Sequence, residues 1–399
     1  MKILGLIIGL FFYVAGLAQE ARPAQGLAQP VFQVDVPDPT ADKPQSKLWF
    51  ADGSWWVVLP RLGGPSLWQR TASGWKEHVE VAKALSGVPG RADVWAGVPA
   101  AGGSGMEATA VGVSKDSLVV FRLSATQPNA EWNARSMGVL KPPVREDIET
   151  ATIVRDGRGE WWVAADGNTS IYVWHSVDGF RWSPAIPLKK GVNKDDICLI
   201  SAVRGGVLVT WSNQTDEAVQ CRLHRDGHGE TDWEKEENVL AGNKTADDHL
   251  HSALGADGSL WMVTKNSVDS NDYPQLVLRV RSAAGVWRNF PYAPRTAVAE
   301  PSRPVILATP RAGVFLAGHT IYDKTGKFKD RIEWGRLDTA AAGILVNRQV
   351  VIPANAGLSA RINNCTVPRF GVPAGAPWII LASDEKGRVY EADLSRFSF

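Results

Sequence analysis

The chain has 399 residues, beyond the size at which one hydrophobic core keeps growing, so it must comprise several domains or one repeat architecture. Its 43 Lys and Arg stand against 42 Asp and Glu, a balance that excludes a nucleic-acid footprint or a polybasic membrane patch. Three cysteines, Cys198, Cys221 and Cys365, are too few for a disulfide framework; they read as buried small apolar residues, with a Cys198–Cys221 bridge as the alternative.

At the start, Lys2, the apolar run from Ile3 to Ala18 and the small residue before Gln19 read as a secretory signal peptide cleaved after Ala18. An uncleaved anchor is the alternative, although the run falls short of the ~20 residues that span a bilayer. Residues 19–30 are expected to form a loose leader and residues 31–399 a single domain. The mature protein is expected to be a soluble monomer, periplasmic or secreted, with no membrane contact.

Trp75, Trp132, Trp182, Trp233, Trp287 and Trp334 follow one another at intervals of 57, 50, 51, 54 and 47 residues. Each closes a similar phrase, clearest between Asp147 and Trp182. There Ala151–Val154 leads to Asp156-Gly157, Trp161–Ala165 to Asp166-Gly167, and Ile171–His175 to Asp178-Gly179. Short β-branched and aromatic runs separated by Asp-Gly are a strong hairpin signal, because both turn positions favour positive φ. Similar phrases run from Lys47 to Trp75, with Asp52-Gly53 and Ser73-Gly74, and from Leu254 to Trp287, with Asp257-Gly258 and Ala284-Gly285. Units of about 50 residues with three or four strands, and no helix-period stretch, describe a β-propeller.

Seven units are expected, beginning near Ser46, Ala92, Asp147, Asp195, Asp248, Ser302 and Arg361, with a six-bladed ring as the alternative. The seventh unit has three strands, and Val31–Val36 can supply the fourth and close the ring, covering an otherwise open edge. Pro37–Pro44 should then be a simple connector, and the glycine-rich Ala100–Gly105 blurs the strands of the second unit.

One turn, Ser176-Val177-Asp178-Gly179-Phe180-Arg181-Trp182, has the Asp-box pattern, in which Ser and Asp close the hairpin and Trp packs beneath it. Other phrases occur in order: Trp211-Ser212-Asn213-Gln214, His224-Arg225-Asp226-Gly227, Ala246–Leu250, Ser302-Arg303-Pro304-Val305, Ile321–Thr325, Asn363-Asn364-Cys365-Thr366 and Leu381-Ala382-Ser383-Asp384. Together they resemble secreted bacterial sialidase-like, BNR-repeat propellers over about residues 147–394. The resemblance implies the fold and secretion and brings no activity with it. Cys365 and Arg369 stand where that family would have a small residue and a lysine.

In a propeller, polar residues where the innermost strands begin converge although they lie some 50 residues apart. Asp195, Asp196, Asp247, Asp248, His249 and Arg303 hold such positions, with Asn213, Gln214, Lys265 and Lys324 at the far ends of second strands and Asn364 and Asp384 in the last unit. The set could bind a glycan or another small polar ligand; the plainer reading is that these groups cap strand ends. Were the protein an enzyme, a glycoside hydrolase or lyase, Asp196 and Asp248 would serve as acid and base or His249 as a lyase base. A scaffold without ligand is the third reading, and a funnel plugged by side chains would favour it. The loop Asp226–Asp232 has alternate oxygens but reads as a plain turn. His249 and His251 lack a third zinc ligand in reach, and no motif calls for a metal or cofactor.

Overall fold

The computed structural model describes residues 28–41, 43–97, 106–126, 130–326, 329–341, 344–354 and 360–399. The expected signal peptide, most of the leader and the Ala100–Gly105 loop lie outside the described residues. Among the described residues, no helix is long and apolar enough to cross a membrane.

Among the described residues, twenty-eight strands form seven four-stranded antiparallel sheets, the blades of one propeller. The innermost strands are Leu48–Ala51, Ala92–Trp95, Ile148–Arg155, Cys198–Val203, Leu250–Leu254, Ala299–Ala308 and Ile362–Thr366, close to the seven expected starts. The ring closes as the sequence suggested. Phe32 and Gln33 pair with Val389 and Arg388 as the outermost strand of blade seven, and the Phe32 ring stacks on Trp68 of blade one at 4.5 Å. Across the same seam Glu391 accepts bonds from Arg70 Nε at 2.9 Å and Trp75 Nε1 at 2.8 Å.

The core does not sit on the axis. Among the described residues, six apolar clusters fill the layers around the ring; Trp56, Trp162 and Trp211, on the second strands of blades one, three and four, are all but fully buried. Burial of such apolar side chains between neighbouring sheets is the main favourable contribution to holding the blades together.

The turn chemistry follows the sequence closely. Asp52 and Gly53 both take positive φ in the hairpin of blade one. In the Asp-box turn, Ser176 Oγ accepts from Gly179 N at 2.8 Å, Asp178 Oδ1 accepts from Phe180 N and Arg181 N at 2.8 Å, and Trp182 Nε1 donates to Gly179 O.

Three expectations fail, each for a local reason. Asp166-Gly167 is no turn: the strand Trp161–Gly167 runs through it, because the Asp166 carboxylate is drawn inward to accept from Thr150 Oγ1 at 2.6 Å and from Glu149 N at 3.1 Å. Trp334 does not lie in or just before an outer strand, as its predecessors do, but in the third strand of blade six, Arg331–Leu337, over Gly318. A short helix, Val79–Ala84, follows blade one; at six residues it is too brief to show a period. Cys198 and Cys221 are free and buried, as the main reading of the sequence expected, and the alternative of a bridge between them fails. The strand Gly206–Asn213 lies between them, setting them about 9–10 Å apart, out of disulfide reach.

A Cβ at Gly318 would fall 2.1 Å from Trp334 Cε2, a ring that has no room to retreat. Gly318→Ala is therefore expected to destabilise the protein by about 1–3 kcal/mol, read as a lower urea midpoint.

Candidate functional site at the rim where the inner strands begin

The inner strands of blades three, six and seven each lose register near this rim, between Ile148 and Ala151, Ser302 and Val305, and Asn363 and Thr366. At two of these bulges a residue other than glycine is left-handed, Arg303 with φ 55° and Asn364 with φ 52°. Such backbone costs of order 1–3 kcal/mol and clusters at functional sites, where a bulge re-aims a side chain. Here Arg303 Nε donates to Tyr322 Oη at 2.5 Å, and Asn363 Nδ2 donates to the same oxygen at 3.0 Å. With two donors on its oxygen, the Tyr322 hydroxyl retains its own proton to give to a ligand.

Blade five supplies the charges. Asp247 Oδ1 lies 3.1 Å from His249 Nδ1, and its Oδ2 accepts from Lys265 Nζ at 3.1 Å and Ser267 Oγ at 3.1 Å. Asp248 contacts His249 Nδ1 through one oxygen and Lys43 Nζ through the other, and Lys43 lies 3.7 Å from Glu149 of blade three. Burial would raise the Asp248 pKa, but hydrogen bonding to His249 and Asp247 and the charge of Lys43 outweigh it and hold the carboxyl well below the usual range. With Nδ1 turned to the carboxylates, His249 Nε2 is buried and has no partner among the described residues.

Lys43 comes from the stretch expected to be a simple connector. Asp38 N donates to Asp384 O at 3.0 Å, Thr40 Oγ1 to Asn364 O at 2.6 Å, and Gln45 Nε2 to Ala151 O at 3.2 Å, so the connector crosses the mouth of the funnel from blade seven towards blade three. Beneath it a cavity of about 20 Å³, room for about one water, is lined by Thr40, Lys43, His249, Arg303 and Asn364. Deeper down the axis is filled. Arg369 Nη2 lies 2.6 Å from Asp93, whose oxygens also accept from Ser46 N and Ile153 N, while Lys47 Nζ donates to Gln45 and Ala92. Within the funnel a ligand can therefore reach only the rim.

Asp247, Asp248, His249, Lys265, Arg303 and Asn364 are brought together at this rim. Gln214 touches the group through Ser267 at 3.4 Å, and its Nε2 donates to the carbonyl of exposed Asp195. Others are taken up by local structure. Asp196 is fully buried and accepts from Asn193 N at 2.7 Å and Gln214 N at 3.0 Å; burial pushes its pKa up. Asn213 bonds Asp216 and Gln220, Asp384 caps its own turn and Tyr390, and Lys324 turns to Glu300 at 3.6 Å and Thr296 O. The Asp226–Asp232 loop is a hairpin turn, with Asp232 Oδ2 accepting from Gly229 N. Sequence reasoning assigned no role to Tyr322 and Asn363, although both stood inside the phrases it singled out, and it had no signal for Lys43 or Glu149.

Donor atoms of Asp247, Asp248 and His249 lie within 4.8 Å of one another, a spacing a cation could span. Lys43 and Lys265 already pair with the two carboxylates, so this donor set suits an ammonium group better than a metal ion.

No protein-family model matches the sequence, and no curated protein matches it. Solved structures do. An ulvan lyase, a polysaccharide lyase bound to glucuronic acid linked to sulfated rhamnose, superposes with a TM-score of 0.56 over 91% of this chain and 95% of its own, at 10% identity. The polysaccharide lyase Uly1 gives 0.48 over 89% and 91%, at 11% identity, and an α-L-arabinanase of Penicillium chrysogenum complexed with arabinobiose gives 0.44 over 94% and 100%, at 9%. At 10% identity the likeness to the ulvan lyase is one of fold, and it spans nearly the whole of both chains.

Proposed function

We propose that the rim binds a carbohydrate, through Asp248, His249, Arg303 and Tyr322, with the Lys43 strap displaced on binding. The observation that carries this reading is the pair of left-handed bulges at Arg303 and Asn364, which expend backbone energy to hold polar side chains around an unpartnered imidazole nitrogen. The fold shared with an oligosaccharide-bound lyase supports it, as do the closely spaced donors and acceptors that sugar hydroxyls need. Sialidase-type kinship, rests on the phrases and the Asp-box turn. Export from the cytoplasm rests on the first 18 residues, and a monomeric state on the closed ring.

The test is binding of the mature chain to a glycan array followed by calorimetry on the best hit. Tyr322→Phe and Arg303→Ala are each expected to weaken binding by about tenfold. Lys43→Ala is expected to strengthen it, because a closed mouth lowers the apparent affinity by the fraction of molecules that are open. Absence of binding to any glycan, or full affinity in Arg303→Ala, would sink the reading.

A catalytic version is favoured by one feature. His249 Nε2, without a partner among the described residues, lines the same cavity as Arg303, whose Nε donates to the Tyr322 hydroxyl; a base, a cation and an acid are what elimination from an acidic glycan requires. Unsaturated product formed by the wild type and lost in His249→Ala would establish it.

A further inference from the structure

Outboard of the rim, between the loops of blades four and five, a second pocket of about 240 Å³ is lined by Leu240, Asn243, Thr245, Asn266, Tyr273 and Asn289. This is below the roughly 300–1,000 Å³ of pockets that hold drug-sized ligands, so it suits a single ring. Tyr273 is 38% exposed and offers a flat aromatic face at the mouth. Asn266, only 6% exposed, donates through Nδ2 to Pro274 O at 3.1 Å, which fixes the amide and leaves Oδ1 without a partner.

Under the pocket lies Arg279, fully buried on the third strand of blade five, Leu276–Arg281. Its Nε donates to Thr264 Oγ1 at 3.0 Å, Nη1 to Asn289 Oδ1 at 2.8 Å, and Nη2 to Thr245 O at 3.0 Å and Oγ1 at 2.8 Å. Every one of these acceptors is neutral. Burial lowers the guanidinium pKa to about 9, still charged at neutral pH. Buried charges are ordinarily paired, and this one faces no carboxylate among its bonded partners. Two of the groups it holds, Thr245 and Asn289, are walls of the pocket, so its uncompensated positive field falls there.

We propose that this pocket is a second carbohydrate site that takes one anionic pyranose residue, carboxylated or sulfated. The ring lies against Tyr273, a ring hydroxyl donates to Asn266 Oδ1, and the ligand's charge offsets Arg279 through space. The site is separate from the rim and does not depend on the rim's binding anything.

The test is calorimetry on the mature chain with three probes: an oligogalacturonate, the same oligomer fully methyl-esterified, and a sulfated galactan oligomer. At least one charged probe is expected to bind saturably, more weakly as salt is raised, and which of them binds identifies the anionic group. If the carboxylate is the group, the ester is expected to bind about tenfold more weakly than the acid. Tyr273→Ala, a surface change, is expected to weaken the bound probe about tenfold, while Arg303→Ala at the rim leaves it within about twofold. Failure of both charged probes, equal binding of acid and ester, or an unchanged Tyr273→Ala would overturn the proposal. Loss of all charged binding in Arg303→Ala would overturn it too, by placing the anion in the funnel.

Discussion

Arg369→Met is expected to destabilise the protein by about 3 kcal/mol or more, because it leaves the fully buried Asp93 carboxylate without its cation. Asp93 lies on the inner strand of blade two, yet its oxygens reach Ser46 N before blade one and Ile153 N in blade three, each at 2.8 Å. Arg369 follows the inner strand of blade seven, and its Nη1 also donates to Ile153 O at 3.1 Å. One ion pair thus ties four blades across the axis. Burial already pushes the Asp93 pKa up against the pull of Arg369, so once the guanidinium is removed the anion must protonate or draw water into the channel. The decisive comparison is the double variant Asp93→Asn/Arg369→Met, expected to lose less than Arg369→Met alone because no orphaned charge remains. Urea midpoints for the two variants measure this, and a double variant as weak as the single would show that the lost bonds to blade three matter more than the charge.

His319→Phe is expected to be close to neutral in stability at pH 7 and to make the protein progressively more stable than the wild type below pH 6.5. His319 is fully buried in blade six, tilted against Tyr292 at 6.4 Å, with neither ring nitrogen bonded among the described residues. Burial drives its pKa from 6.5 to about 3; Glu333 pulls upward, while Arg348 and Arg331 press it down. A folded-state pKa below the unfolded one means that the unfolded chain takes the proton first as pH falls. The stability is therefore complete above pH 6.5 and is lost between pH 6.5 and about 3, at about 1.4 kcal/mol per pH unit. His251 on the axis, with a pKa of about 3 caused by burial and Arg369, adds a loss of the same sign. Asp166, which burial pushes up to about 7, opposes both, gaining stability as pH falls from 7 towards 4. The net wild-type profile blends these, so the difference between His319→Phe and wild type at pH 7, 5.5 and 4 is the quantity to measure. A constant difference across that range would refute the assignment.

Within the candidate site, legibility followed the range of the interactions. Asp248 and His249 stood out because a charged pair beside histidine at a strand start is a costly cap, whereas Asp196, Asn213 and Asp384 matched the same pattern and proved to be held by nearby backbone amides and side chains. Residue type and spacing are alike for both groups. What separates them is whether an N–H a few residues away is placed to take the carboxylate, and a bulge or the depth of a turn decides that.

The sequence by itself determined the seven-fold repeat, most of the hairpin turns and the short strand that closes the ring, because alternation of period two and Asp-Gly turns act over a handful of residues. Only the tertiary structure decided what occupies the centre. Lys43 meets Asp248 across 205 residues, Ser46 meets His251 across 205, and Arg369 meets Asp93 across 276. Such partners leave no periodic trace in the chain, since they are selected by the closure of the ring and by bulges that turn individual side chains towards the axis.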